Sequence, residues 1–340
     1  MQALPLDMKV KMTKSRIKGW VETYGEDGVY VSFSGGKDST VLLHLVREEY
    51  PDIEAVFVNT GLEYPEIQKF AQSFDNVTVL RPKMRFDEVI RKYGYPVISK
   101  EVAERVGTAR RCIEKNGEHY VEHFYQLTGK FPSTRIEQMY NGRFSARYDF
   151  SRYAQLMNVD FDIDSKCYGI MKKGPIKKQS AHKMGITAQM AEESQLRTQE
   201  WLKNGCNGFD MKRPISNPMS FWTEQDVLKY IYDNKLPICS VYGDVYYGDD
   251  TGQMNFECGK LCTSGCKRTG CIFCLFGAHL EKGEGRLVRL KRTHPRQYEY
   301  CMYGGAYDSD GKWKPDKNGL GMKHVIDEIN RLYGENFIRY

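Results

Sequence analysis

Apolar positions along the chain fall into short blocks that alternate between strand-like runs and helix-like spacing. Val29-Tyr30-Val31-Ser32-Phe33 is a β-branched and aromatic run, and after a polar turn Val41, Leu42, Leu43, Leu45 and Val46 recur at helical intervals. Ile17, Trp20, Val21 and Tyr24 predict a helix over 13–24 ahead of that run. Residues 53–61 predict a second strand, Glu63-Tyr64-Pro65-Glu66 opens a helix carrying Ile67 and Phe70, and Val77-Thr78-Val79-Leu80 is a third strand. Alternation at this spacing predicts an α/β chain built on a doubly wound parallel sheet, which binds ligands at the C-terminal ends of its strands. Asn59-Thr60-Gly61 falls at such an end.

Beyond residue 81 the pattern becomes helical. Phe86 to Tyr93 and Tyr120 to Leu127 are amphipathic, and an insertion is expected over about 81–160. From Arg135 to Tyr153 aromatic and basic residues interleave: Tyr140, Arg143, Phe144, Arg147, Tyr148, Arg152 and Tyr153. Such mixing suits either a surface that stacks bases and contacts phosphates or helices packed on their own sheet. The end of the chain carries an amphipathic helix with Val325, Ile326, Ile329 and Leu332. Expected domains are a nucleotide-binding unit at 1–250, including the insertion, and a Cys-rich, basic region at 251–340.

Composition narrows the class. The 340 residues are 41% apolar and 28% charged, as in ordinary globular chains. No apolar block approaches the roughly 20 residues of a membrane helix, and the first eighteen residues resemble no signal peptide, so a cytoplasmic location without membrane attachment is the expectation. The net charge is +6, with basic groups gathered at Arg105/Arg110/Arg111, Lys172/Lys173/Lys177/Lys178 and Arg286/Arg289/Lys291/Arg292. Solvated helix faces or a polyanionic partner, nucleotide or nucleic acid, would each account for them.

The turn after the first strand, Ser34-Gly35-Gly36-Lys37-Asp38-Ser39, carries the chemistry. Two glycines let backbone N–H groups approach an anion, the start of a helix favours phosphate, Lys37 adds a charge, and Ser34 and Ser39 add hydroxyls. The spacing is not that of a Walker A loop. The hexapeptide resembles the PP-loop, Ser-Gly-Gly-x-Asp-Ser, of the adenine nucleotide alpha-hydrolase superfamily, whose members cleave ATP between the α and β phosphates. Asn59-Thr60-Gly61 with Tyr64-Pro65-Glu66 resembles the phosphoadenosine phosphosulfate (PAPS) reductase branch, with Asn59 where that family has Asp. Phe221-Trp222-Thr223 through Tyr230-Ile231, Leu236-Pro237 and Tyr242 is similar to the same family's Trp-Thr segment. Gly185-Ile186-Thr187-Ala188 with Glu192 to Arg197 is similar to its Gly-x-Arg-x-x-Glu-Ser segment. The first arginine is missing there, which leaves Arg197 to serve the substrate. By this resemblance Ser34, Gly35, Gly36, Lys37, Asp38, Ser39, Asn59, Thr60 and Gly61 bind ATP or a related adenine nucleotide. Lys37, Asp38 and Arg197 serve catalysis, with Asp38 orienting the loop or helping to place Mg²⁺.

Ten cysteines, five of them between Cys258 and Cys274, point to a soft-metal site rather than disulfides. One reading is structural zinc on Cys258, Cys262, Cys271 and Cys274. Asp164 to Lys178 resembles the Cys-Cys segment of cluster-containing adenylyl-sulfate reductases, with Tyr168 in place of the second cysteine. That resemblance implies a 4Fe–4S cluster on Cys167, Cys266, Cys271 and Cys274. Glu257-Cys258-Gly259 resembles the reductases' nucleophilic Glu-Cys-Gly, but here Lys260 follows it and the closing residues 335–340 hold no cysteine. Three functions stay open. The first is an ATP pyrophosphatase that adenylates an acceptor for sulfur transfer, with a sulfur donor and a nucleic-acid acceptor as partners. The second is a sulfonucleotide reductase served by a thioredoxin-like reductant, and the third is a non-catalytic nucleotide- or nucleic-acid-binding module. The sequence leaves the oligomeric state open.

Overall fold

The computed structural model describes residues 1–141, 148–179, 181–248 and 259–340. It opens with α1 (Leu6–Tyr24), β1 (Val29–Phe33), α2 (Lys37–Glu49), β2 (Ala55–Val58), α3 (Pro65–Gln72) and β3 (Val77–Leu80). Then come α4 (Phe86–Tyr93), β4 (Val97–Ile98), α5 (Lys100–Asn116), α6 (Tyr120–Thr128), α7 (Thr134–Tyr140) and α8 (Gly174–Gln179). Next are β5 (Met184–Ile186), α9 (Gln195–Asn204), β6 (Asn207–Gly208), β7 (Ile215–Ser216), α10 (Glu224–Asp233), β8 (Val245–Gly248) and β9 (Lys260–Thr263). The chain ends with β10 (Leu275–Phe276), α11 (Arg286–Thr293), α12 (Pro295–Met302), β11 (Ala306–Tyr307), β12 (Trp313–Lys314) and α13 (Met322–Tyr333). The doubly wound α/β class is the one expected.

Two compact units divide the chain: Met1–Pro82 with Gly174–Gly270, and Lys83–Lys173 with Cys271–Tyr340. The single boundary expected at 250 differs from this division. The physical reason lies in the second unit, where the closing segment packs onto the insertion. Tyr95, buried just after α4, donates its hydroxyl to the Leu320 carbonyl at 2.7 Å, and His324 meets Asp160 at 2.9 Å.

The first unit is organised by a six-stranded sheet in the order β3-β2-β1-β5-β7-β6, parallel except for β6. Val31 pairs with Ala55 on one side of β1 and with Ile186 on the other. The chain therefore winds outward from β1 through β2 and β3, then returns to β5 on the other side of β1. The crevice at the C-terminal end of β1 is the topological switch point. Burial of Val29, Val31 and Phe33 with Leu42, Leu43 and Leu45 of α2 fixes that end of the strand.

Helix α1 starts at Leu6, earlier than the apolar spacing suggested. Lys9 explains the difference: it is only 2% exposed, and its ammonium lies 2.5 Å from Asp226. Asp226 also closes a capping box on Thr223 at the start of α10. Trp222 is buried, and its indole N–H donates to Thr13 at 2.8 Å.

In the second unit, Ser99 and Ser133 cap α5 and α7, and Ala109, Val121 and Ile136 make one cluster of the core. Of the aromatic and basic stretch, Arg143, Phe144 and Arg147 lie outside the described residues. Of the rest, Tyr153 is buried, meets Tyr333 edge-on and carries Arg152 over its ring, while Tyr140 and Tyr148 are exposed.

Candidate nucleotide site

Strand β1 ends at the buried Phe33, and Ser34, Gly35 and Gly36 make the turn into α2. Gly35 has φ +68°, and a Cβ there would stand 3.0 Å from Ile67 Cγ2 and 3.2 Å from the Ile67 carbonyl. Only glycine combines that backbone with that approach. Gly36 is the N-cap of α2. Ser39 and Thr40 donate hydroxyls to the Gly36 carbonyl at 3.0 and 2.9 Å, and the Ser34 and Ser39 hydroxyls lie 3.0 Å apart. These bonds hold the turn from within. The N–H groups in the first turn of α2 lack intrahelical acceptors and form, with the helix dipole, a site for anionic oxygen.

Lys37 is 6% exposed, with its ammonium 3.2 Å from a Glu224 carboxylate oxygen and 5.5 Å from the centre of the Tyr242 ring. Burial raises the Asp38 carboxyl above the ordinary range, and the positive charges of Lys37, Arg268 and Arg197 pull it partly back. The Tyr242 hydroxyl shares a 3.1 Å hydrogen bond with Thr269, and burial raises its pKa. Arg197, in the first turn of α9, pairs with Glu193. The six turn residues and Arg197 therefore belong to one electrostatic neighbourhood of the first unit.

Asn59, Thr60 and Gly61 follow β2 in a tight turn. Asn59 accepts from the Gly61 N–H at 3.0 Å, and Thr60 is tied to Glu63 through its N–H at 3.0 Å and its hydroxyl at 2.7 Å. Glu63, Glu224, Tyr242 and Arg268 neighbour the candidate residues and were not singled out as candidates from the sequence. For Glu224 a signal existed, since it directly follows the N-cap Thr223 in the Trp-Thr segment. For Arg268 only its place among the cysteines could have drawn attention.

The thiols divide between units. Cys167, Cys271 and Cys274 belong to the second, where burial, with the neighbouring Cys274 and Cys271, pushes the Cys167 thiol up to about 12. Cys266 is buried in the first unit, and its N–H donates to the Val241 carbonyl at 2.9 Å. Cys258 lies outside the described residues, as does the Glu257-Cys258 part of the reductase-like tripeptide. Soft sulfur is the right chemistry for zinc or iron–sulfur. Among the described residues, however, no three His, Cys, Asp or Glu side chains are gathered as a metal site. Among the described residues, no helix is long and apolar enough to cross a membrane.

The family model described as phosphoadenosine phosphosulfate reductase domain matches residues 28–114 and 119–275 of this chain. An uncharacterized protein of Methanocaldococcus jannaschii is 41% identical over 73 residues, 20% of this chain and 18% of that protein. The phosphoadenosine 5'-phosphosulfate reductase of Xanthomonas euvesicatoria is 34% identical over 68 residues, 18% of this chain and 28% of the reductase. The matches thus span less than a third of the length of these curated relatives. Among solved structures, the PAPS reductase of Candida auris in its phosphate complex aligns with TM-score 0.36 and 14% identity, over 73% of this chain and 96% of that one. The U34-tRNA thiolase NcsA of Methanococcus maripaludis, with its 4Fe–4S cluster, aligns with TM-score 0.31 and 12% identity, over 68% and 66%.

Proposed function

The chain belongs to the phosphoadenosine phosphosulfate reductase domain family, and from that premise we propose that it is an ATP pyrophosphatase that adenylates an acceptor for sulfur transfer. The observation that carries the reading is the complete Ser34-to-Ser39 turn, with its lysine present and buried at the switch point of the sheet. In the proposed reaction an acceptor oxygen attacks the α-phosphorus, the bond to the β-phosphate oxygen breaks, and pyrophosphate leaves with the electron pair; a sulfur nucleophile from the donor then attacks the acceptor carbon and AMP leaves with the acceptor oxygen. Negative charge grows on the leaving pyrophosphate. The N–H groups in the first turn of α2 and the Lys37 ammonium would supply donors where it grows, while the Ser34 and Ser39 hydroxyls hold the turn in shape from within. Asp38 would help to hold Mg²⁺ on the phosphates; the metal would restore full ionisation to a carboxyl that burial disfavours. Arg197 would serve the acceptor side as a counter-charge. A nucleic acid is the proposed acceptor class.

For the thiols, the proposal is that Cys167, Cys271 and Cys274 of the second unit bind metal, supported by Cys274 and Cys271 being the neighbours of the Cys167 thiol. A 4Fe–4S cluster is the first choice and zinc the alternative. When bound, a cluster would supply a carrier for sulfur or electrons. Anaerobic purification followed by iron analysis and a visible spectrum separates the two metals.

The family's own reaction, reduction of a sulfonucleotide, is the second reading. It is favoured by the family match, which runs through the Trp-Thr segment to residue 275. Incubation with α-labelled ATP, a nucleic-acid pool and sulfide as sulfur donor, and separately with sulfur-labelled PAPS and a thioredoxin-like dithiol reductant, discriminates. AMP and pyrophosphate that disappear in Lys37→Ala support the pyrophosphatase; sulfite supports the reductase and overturns it.

A further inference from the structure

A cavity of about 210 Å³ in the second unit lies between α4, α5 and the segment around Asp162, and its wall is strongly basic. Five cationic side chains line it, Lys92, Arg110, Arg111, Lys166 and Lys312, against the carboxylates of Glu114 and Asp162. Counting the buried Asp164 behind Arg111 as a third carboxylate, two positive charges remain uncompensated. The carboxylates are also unevenly spent. Lys312 takes both Glu114 and Asp162 at 2.8 Å, and Arg110 meets Asp162 at 3.9 Å. The surplus therefore falls on Lys92, Lys166 and Arg111.

Lys92 and Lys166 stand 5.4 and 4.7 Å from the centre of one ring, that of Tyr93. Two ammonium groups around one phenol repel each other, and an anion between them would turn that repulsion into attraction. Asp164 positions the remaining donors. It is 3% exposed, takes the Arg111 guanidinium at 2.5 Å and the Lys166 ammonium at 3.8 Å, and accepts the Lys166 backbone N–H at 2.8 Å. One guanidinium edge is thereby fixed, while an arginine has five N–H donors to offer. Gly107 keeps the wall close, since a Cβ there would stand 2.6 Å from the Ile163 carbonyl and 3.2 Å from Arg111.

We propose that this cavity binds one tetrahedral oxyanion, a phosphate or sulfate group, either free or projecting from a larger chain. The size decides between group and molecule: pockets for whole drug-sized ligands begin at about 300 Å³. One phosphate with a few waters, each taking about 30 Å³, fits. The site is separate from the turn at Lys37 and does not rest on the nucleotide reading.

Equilibrium dialysis of the full chain with radiolabelled inorganic phosphate tests it, using Lys37→Ala to silence the first anion site. Phosphate uptake should persist in Lys37→Ala and weaken about a hundredfold when Lys92→Ala and Lys166→Ala are added, roughly tenfold for each charge-assisted hydrogen bond removed. Both lysines are exposed, so the fold should survive; Lys92→Glu alone, with an unchanged unfolding midpoint, should weaken uptake at least as much as Lys92→Ala. Equal uptake in Lys37→Ala with and without the two further substitutions overturns the proposal. So does the absence of uptake in Lys37→Ala. A short single-stranded oligonucleotide separates the sources. If it displaces phosphate and is itself weakened by the same substitutions, the group belongs to a chain; if phosphate stays bound, the free ion is the ligand.

Discussion

The ammonium of Lys37 lies 3.2 Å from the carboxylate of Glu224, so the lysine proposed to meet the phosphate chain is engaged by a side chain of its own protein. Glu224 is 41% exposed, and an ion pair of that kind contributes only about 0.2–1 kcal/mol. It holds the lysine in place without competing strongly. Glu224→Gln should therefore tighten nucleotide binding, by up to about fivefold. Titration calorimetry with Mg-ATP checks the direction; weaker binding would mean that Glu224 positions Lys37 rather than occupying it.

Gly35 is set by its left-handed backbone and by the approach of Ile67. Gly35→Ala should lose about 1–2 kcal/mol from the backbone alone, with a further cost as Ile67 is pushed back. Denaturant unfolding should show the loss, and phosphate-chain affinity should fall with it because the turn's N–H groups would be re-aimed.

Lys9 and Asp226 form a nearly buried pair that ties α1 to α10. Removing one partner from such a pair costs about 3–5 kcal/mol. Asp226 keeps the Thr223 N–H and hydroxyl, both at 2.7 Å, so Lys9→Met should fall at the low end, about 3 kcal/mol. Adding Asp226→Asn should restore part of the loss, since no unpaired charge is then left. Unfolding curves of the three variants decide it.

Glu54 supplies a pH signature. Burial tends to raise its carboxyl, but hydrogen bonds from Lys183, Thr78 and Gln179 outweigh burial and hold it below the ordinary range. A carboxyl depressed in the folded state stabilises the fold above its unfolded pKa, about 4.3, and loses that contribution as pH falls through the folded value. Glu54→Gln should be less stable than the wild type at pH 7. The gap should narrow below about pH 4 and close at lower pH. Denaturant midpoints at several pH values measure it.

The phosphate turn was legible because all its parts are contiguous: two glycines, a lysine, an aspartate and two serines between an apolar run and a helical one. Its surroundings were not, because Glu224 reaches Lys37 across 187 residues of sequence, and no local pattern encodes such a pair. Apolar spacing started α1 late for a related reason. Lys9 reads as a surface residue until Asp226 is placed beside it. The interleaving of the units was hidden likewise, since it rests on pairs such as Tyr95 and Leu320, 225 positions apart. The cysteines were legible as soft donors by type and density. What no local pattern encodes is that Cys167, far earlier in the chain, has Cys274 and Cys271 as its neighbours.

Binding of Mg-ATP to the wild type and to Lys37→Ala, with pyrophosphate as competitor, tests the central claim most directly. The nucleotide should bind the wild type, be displaced by pyrophosphate, and bind Lys37→Ala at least about tenfold more weakly, the effect of removing one charge-assisted hydrogen bond. Binding that is indifferent both to pyrophosphate and to Lys37 would place the phosphate chain elsewhere and contradict the account.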